Sequence, residues 1–464
     1  MTARSIKKKD FFTGNMVWWL FAILTIVYGV ILAIIDHGSG AFMSIAEGIW
    51  TIYKSPAILV HDYFALAGAG PALINSAMSA ILTLCAFKVA KQPVGGSQMG
   101  ALGLVMGFAL LGKNPVNMLP IFIGAYLYSL FKKEPYKNNV SVAAFATCLA
   151  PIVNQTVHTP QIVDAIGLPG AIALGVILGL FIGFVINSMG AFIRKSHEGL
   201  NLYNIGWGAG LIAIAIAAIY NTMGIDRYGP GSAVPGVTIL SVHGVTGYYN
   251  TQLNIYLAVT AVFFITVGLL AGIKKSCKLK DILNMKADDN NFFDKYGKGA
   301  TYMAMGGLTL VAIALSLIFG IHLDAPIMGA ILSMIGWGGF GKAIASSVNI
   351  IAGVILGGLA RYLLSLALAP ALYAETSMLV YLSIHGTIWS SAFWGTCLSP
   401  MARYFGWKWA LLIGMAHFIF ASTVAPFTWG MNLYNNGLAA GFVCVVMIPI
   451  IRAFDRKGKY PARM

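Results

Sequence analysis

The sequence predicts an all-α fold: a polytopic transmembrane helical bundle of about 14 helices, in two inverted repeats of about seven, some of them short or re-entrant. Three observations predict it. First, apolar residues make up 58% of the 464 residues and charged residues only 10%, where an average soluble domain has about 25% charged. That leaves too little polar surface to coat a water-soluble globule. Second, the basic residues cluster at the ends of long apolar runs. Third, a twelve-residue segment occurs twice.

A bilayer core of about 30 Å takes about 20 apolar residues as helix. By that rule the first spans are Met16–Ile35, Pro71–Ala90, Gln98–Leu111, Pro115–Phe131, Val140–Val157, Leu168–Phe192, Ile205–Tyr220 and Gln252–Ile273. After the charged stretch Lys274–Lys298 come Thr301–Ile321, Ala325–Phe340, Ala345–Leu368, Thr376–Gly395, Trp407–Val424 and Gly437–Ile451. The third, fifth, tenth and fourteenth are short and read as half-helices or re-entrant pieces. The basic N-terminus leads into a long apolar run with no small-residue cleavage site, so the first span is uncleaved. Ala41–Gly70, with Trp50, Tyr53, His61 and Tyr63, reads as an interfacial helix or a short re-entrant piece. Asn221–Thr251, rich in Gly and Pro, reads as an outer cap. The chain therefore divides into a first repeat over 1–225, an extracytoplasmic connector over 226–251, and a second repeat over 252–464 with a cytoplasmic loop at 274–298.

Charge sets the orientation. With the N-terminus inside, 26 of the 30 Lys and Arg fall inside, and only Lys54, Lys113, Arg227 and Arg361 fall outside. This predicts a multi-pass protein of the plasma membrane with both termini cytoplasmic. The net charge of +15 is accounted for by topology, so the partner is the lipid bilayer rather than nucleic acid. Five cysteines without a CxxC give no disulfide framework, metal site or redox pair, and no cofactor is expected. The oligomeric state, including a homo-oligomer, stays open.

The repeat is visible in three pairs. Gly199–Gly210 (GLNLYNIGWGAG) and Gly430–Gly441 (GMNLYNNGLAAG) agree at eight of twelve positions. Thr147–Pro151 (TCLAP) matches Thr396–Pro400 (TCLSP), and Gly112–Lys113 matches Gly341–Lys342. Each pair lies seven spans apart. A unit with an odd number of spans inserts its second copy upside down, the arrangement of many secondary transporters.

The candidate substrate-binding residues come from these pairs. Asn201, Tyr203 and Asn204, with Asn432, Tyr434 and Asn435, precede Gly-rich helices, where an Asn caps free N–H groups and the positive helix end suits a polar or anionic solute. The competing reading is a membrane-surface cap with both tyrosines in the aromatic belt. Lys113, Asn114 and Asn117 stand at a Gly-Lys-Asn-Pro break between two half-spans. A lysine there either marks a site, since a charge at the bilayer centre costs at least ~2.5–3.5 kcal/mol, or snorkels to water. Lys342 falls on the inside face, where snorkelling is the simpler reading. Thr147 and Thr396 belong to the matched TCL turns, whose Cys148 and Cys397 read as small residues that let helices approach. No acid lies mid-span: Asp36, Asp164, Asp226 and Asp324 sit at outer ends, and Glu375 is the nearest candidate. His385 and His417 lie within spans.

GLNLYNIGWGAG, GMNLYNNGLAAG and LLGKNPVNMLP together resemble the bacterial membrane family catalogued as domain-of-unknown-function family 1576. The resemblance spans most of the chain, includes the duplication, and implies a polytopic protein without an assigned substrate. The second copy departs from it, reading GKAIASSVN where the first has GKNP. The function expected is a transporter or channel for a small polar or anionic solute, not an enzyme. The alternative is a membrane-embedded enzyme using His158, His243 and His385 with Asp164, although no HExxH or GxSxG occurs.

Overall fold

A computed structural model describes residues 12–57, 62–225, 239–287, 289–368 and 377–462. Among these residues the fold is all-α, and nine helices are long and apolar enough to cross a membrane. The first half contains α1 (Gly14–His37), α2 (Ala41–Lys54), α3 (Tyr63–Ala67), α4 (Ala69–Val89), α5 (Gly96–Phe108), α6 (Pro115–Lys132), α7 (Val140–Ala146), α8 (Pro151–His158), α9 (Pro160–Ser196) and α10 (Asn204–Thr222). The second contains α11 (Ile239–Ala271), α12 (Leu279–Leu283), α13 (Phe292–Tyr296), α14 (Lys298–Phe319), α15 (Ala325–Gly336), α16 (Ile344–Leu368), α17 (Met378–Ile384), α18 (Gly386–Gly395), α19 (Ser399–Phe405), α20 (Trp407–Ala421) and α21 (Asn435–Ala453).

The expected spans appear, with three corrections. The fifth and twelfth are interrupted. Thr147–Leu149 forms a 3-10 turn between α7 and α8 inside the fifth, which stays one apolar stretch over Val140–His158, and Thr396–Leu398 forms the same turn between α18 and α19, just past the end of the twelfth. A further break at His385 divides α17 from α18. The sixth span lies within α9, which kinks at Gly167 (φ 71°) beside Pro169. Finally, α11 begins at Ile239, so the second part of the Gly/Pro-rich connector is helical; residues 226–238 and Glu375 lie outside the described residues. α2 lies within Ala41–Gly70 and leaves Phe42, Met43 and Trp50 exposed, while His61 of that stretch lies outside the described residues.

The two halves pack alike. In the first, α1 lies on α4 and α6 on α9; in the second, α11 lies on α14 and α16 on α20. Their outer faces carry exposed Ile23, Val27, Phe181, Val262, Leu317, Leu363 and Ile419, the surface a lipid-facing helix presents. At the centre α5 meets α15. With 13 and 12 residues, each reaches only about 20 Å, short of a full crossing. They touch through glycines. A Cβ on Gly107 would lie 2.3 Å from the Gly329 carbonyl oxygen, and one on Gly103 would lie 2.8 Å from Gly336 Cα. The order reverses along the pair, so these two helices run antiparallel.

Candidate functional site

The three sequence-matched pairs converge on one place. The Leu202 N–H donates to the Cys397 carbonyl at 3.1 Å, and the Leu433 N–H donates to the Cys148 carbonyl at 3.0 Å. Gly341 has φ 96°, and a Cβ there would lie 2.5 Å from the Leu202 side chain; a Cβ on Gly112 would lie 2.8 Å from Leu433. Each Asn-Leu-Tyr-Asn segment therefore docks on the Gly-Lys and Thr-Cys-Leu turns of the other half. The small residues before each lysine leave room for that leucine.

The segments are built alike. Asn201 Oδ1 accepts the Tyr203 N–H at 2.8 Å, and Asn432 Oδ1 accepts the Tyr434 N–H at 2.9 Å. These asparagines hold their turns. Asn204 and Asn435 are the first residues of α10 and α21, and they tie back seven residues rather than capping their own helices. His197 Nε2 meets Asn204 Oδ1 at 2.8 Å, while Thr428 Oγ1 donates to Asn435 Oδ1 at 3.1 Å. Asn204 Nδ2 donates to the Gly190 carbonyl at 3.0 Å, whereas Asn435 Nδ2 is buried without a partner among the described residues. The tyrosines are not in an aromatic belt. Tyr203 and Tyr434 are 0% and 1% exposed, with ring centroids 4.6 Å apart.

Around that pair lies an aromatic core the sequence reading missed. Phe145 stacks on Trp337 at 5.4 Å and Phe108 on Trp394 at 4.8 Å. Tyr203 meets Trp337 at 5.7 Å and Tyr434 meets Phe108 at 5.3 Å. Phe108 and Trp337 share the spacing of the Gly-Lys pair, and Phe145 and Trp394 that of the Thr-Cys-Leu pair. The spacings were thus a usable signal, although the residue types differ.

Both lysines are sealed into this core. Lys113 and Lys342 are each 0% exposed, which corrects the snorkelling reading of Lys342. Lys113 Nζ donates to Thr147 Oγ1 at 2.7 Å and stands 5.2 Å from the Phe108 ring. Lys342 Nζ donates to the Tyr203 hydroxyl at 2.6 Å and stands 4.6 Å from the same ring's centroid. That hydroxyl also lies 2.8 Å from Ser333 Oγ. Among the described residues no ion pair reaches either lysine. The halves differ here. The Tyr434 hydroxyl, counterpart of the one Lys342 holds, is buried with no partner among the described residues; Thr147 and Thr396 both donate to the carbonyl three residues earlier, but only Thr147 also receives a lysine.

Asn114 and Asn117 start α6. Asn114 Oδ1 accepts the Val116 and Asn117 N–H groups at 3.0 Å, and Asn117 Oδ1 accepts the Asn114 N–H at 2.9 Å. Their reciprocal cap forms the expected break between half-spans.

A cavity of about 1150 Å³ reaches this core from one side. Arg194, Lys195 and Glu198 line it, as do His197, Asn201 and Asn204. Aromatic residues Trp337, Phe340 and Tyr434 line it too. His197 is 1% exposed. Burial, the largest effect, holds its pKa below the ordinary 6.5, and the ring sits between the Asn201 N–H at Nδ1 and Asn204 Oδ1 at Nε2.

The remaining candidates lie elsewhere. His158 places Nδ1 2.7 Å from the Asn154 carbonyl and Nε2 2.7 Å from that of Lys54. His385 holds the Tyr381 carbonyl and stacks on the Tyr381 ring, and buried His417 meets Asn436 Oδ1 at 3.1 Å. The side chain of His243 lies outside the described part. Among the described residues no three His, Cys, Asp or Glu side chains form a metal-holding group. One acid pair is unexpectedly buried. Asp62 Oδ2 accepts the Ala325 N–H at 3.3 Å, and Asp324 Oδ1 accepts the Ile327 N–H at 2.8 Å. Burial first, then the Asp62 charge, raise the Asp324 pKa above the ordinary carboxylate range.

Comparison with known proteins gives one match. The profile of the family described as "Protein of unknown function (DUF1576)" matches residues 42–222 and 269–453. The chain belongs to that family, a membrane-type helical protein whose two matched segments are of nearly equal length and each contain one copy of the three motifs. No curated protein and no solved structure matches it.

Proposed function

We propose that the chain is a membrane carrier for a small polar solute, anions favoured, and that its two halves are inverted repeats whose interface is the transport site. The observation that carries this reading is the cavity lined by Asn201, Leu202 and Asn204 of one Asn-Leu-Tyr-Asn segment and by Tyr434 of the other, whose ring packs on Tyr203. Reciprocal docking of each segment on the other half, and the antiparallel α5–α15 pair, support inversion. Two buried lysines with no carboxylate partner among the described residues favour an anion over a cation. The distribution of 26 of the 30 basic residues supports a plasma-membrane protein with cytoplasmic termini and a cavity facing the cytoplasm.

The same reading gives a mechanism. Lys342 grips Tyr203 while its counterpart Lys113 grips Thr147 and leaves the Tyr434 hydroxyl unpaired. In an inverted repeat the outward-facing state arises when the halves exchange conformations. Lys113 then takes Tyr434 and Lys342 releases Tyr203. The solute enters beside the aromatic core, and the exchange moves the opening to the other face.

Proteoliposomes test the reading. Ile205 lines the cavity. An Ile205→Cys variant, with exposed Cys85 and partly buried Cys277 changed to Ser, is treated with a membrane-impermeant maleimide from each face. Currents are then recorded on supported membranes for phosphate, sulfate and short carboxylates. Labelling from the face bearing Arg194 and Lys195, which blocks a current to one of these anions, is expected. Simultaneous labelling from both faces, or no current with any anion, would overturn the carrier reading.

A further inference from the structure

We propose a binding site for the phosphate headgroup of an anionic phospholipid where α20 and α21 meet the membrane surface. A cavity of about 320 Å³ lies there, separate from the central one. Its lining combines Trp409, Ile451, Phe454 and Tyr460 with Asp455 and the cations Arg456, Lys457 and Lys459. The strap that bears these cations is fixed in place. Arg452 makes a two-pronged ion pair with Glu198 at 2.6 and 2.7 Å and donates Nε to the Tyr460 carbonyl at 3.0 Å. The Tyr460 hydroxyl donates to the Phe405 carbonyl at 3.0 Å, and its ring packs edge-on against Phe405.

The one acid in the pocket is already engaged. Asp455 Oδ2 accepts the Tyr460 N–H at 2.6 Å. Among the described residues no ion pair neutralises Arg456, Lys457 or Lys459. Three cations thus line a concave site whose one carboxylate, Asp455, lies beside Lys459. Its depth in the membrane follows from its neighbours. Phe454 is 74% exposed at the end of the apolar helix α21, and Trp407, 59% exposed, opens α20. Large aromatic side chains exposed at the ends of spanning helices mark the headgroup level. A free phosphate would satisfy only the cationic part of the lining. A phospholipid satisfies both, with its phosphodiester on the cations and its glycerol and first methylenes on Trp409 and Phe454.

The test uses the full chain, delipidated in an uncharged detergent and titrated with phosphatidylglycerol, phosphatidylcholine or inorganic phosphate. Bound lipid is counted by native mass spectrometry. The wild type should retain phosphatidylglycerol and not phosphatidylcholine, and inorganic phosphate should not displace it. The triple change Arg456→Gln, Lys457→Gln, Lys459→Gln should weaken retention roughly 100-fold, at the strength of such contacts per charge. The control Lys275→Gln, Lys278→Gln, Lys280→Gln removes as much charge from exposed positions in the 274–298 loop and should change nothing. Equal retention by the pocket variant, equal loss by the control, or displacement by inorganic phosphate would each overturn the proposal. None of these outcomes depends on whether the chain transports a solute.

Discussion

The exchange of lysine partners makes its sharpest prediction at the two tyrosines. Tyr203→Phe removes the hydroxyl that accepts from Lys342 Nζ at 2.6 Å and leaves the ring contacts intact. A hydrogen bond to a charged buried group is worth about 1.5–3 kcal/mol. At 1.36 kcal/mol per decade this shifts the balance about 10- to 150-fold away from the state described here. Tyr434→Phe removes a hydroxyl that has no partner in this state. It costs nothing here and the same amount in the opposite state, where Lys113 would need it. The two changes, each the loss of one oxygen atom, should therefore move the facing equilibrium in opposite directions. The assay is the maleimide labelling rate at Ile205→Cys in membranes, slowed by Tyr203→Phe and unchanged or faster with Tyr434→Phe. Shifts of the same sign, or a labelling rate for Tyr203→Phe within about twofold of the parent, would refute the exchange.

Two further outcomes follow from packing and protonation. Gly107→Ala gains about 1 kcal/mol of helix propensity. Its methyl would nevertheless sit 2.3 Å from the Gly329 carbonyl oxygen, and overpacking against backbone costs about 1–3 kcal/mol. Thermal unfolding should show a lower midpoint for Gly107→Ala and a higher one for Gly190→Ala, where the nearest atom is 3.7 Å away. His197, held below its ordinary pKa by burial, stays neutral in the fold while the unfolded chain takes up a proton. The unfolded state then binds more protons, so stability falls as pH drops through the ordinary histidine value of 6.5. His197→Gln, which keeps an N–H for Asn204, should flatten that part of the wild-type midpoint-against-pH curve.

A feature is legible in the sequence when it lives in one stretch of chain. Apolar length and Pro at a helix start are local, so the spans and the break at Gly112–Pro115 were legible. The duplication was legible too, because each copy must make the same turn. The role of the matched residues was harder. Asn201 and Asn432 are candidate solute ligands whose oxygens also close turns on Tyr203 and Tyr434, and of the two only Asn201 lines the cavity. A sequence cannot tell a side chain that faces a cavity from one that folds back on its own backbone two residues later. Lys342 misled for the opposite reason. Its position along the chain fits the basic face, and its burial is created by Tyr203 and Leu202, about 140 residues earlier. The aromatic core is a property of two halves meeting, and the matched positions preserve ring character rather than residue identity: Phe108 with Trp337, and Phe145 with Trp394. A search for identical strings passes over such pairs. Positions at the shared spacings that keep shape and apolarity include all six rings, because two halves that dock on each other in the same way need similar volumes on both sides, not the same residue.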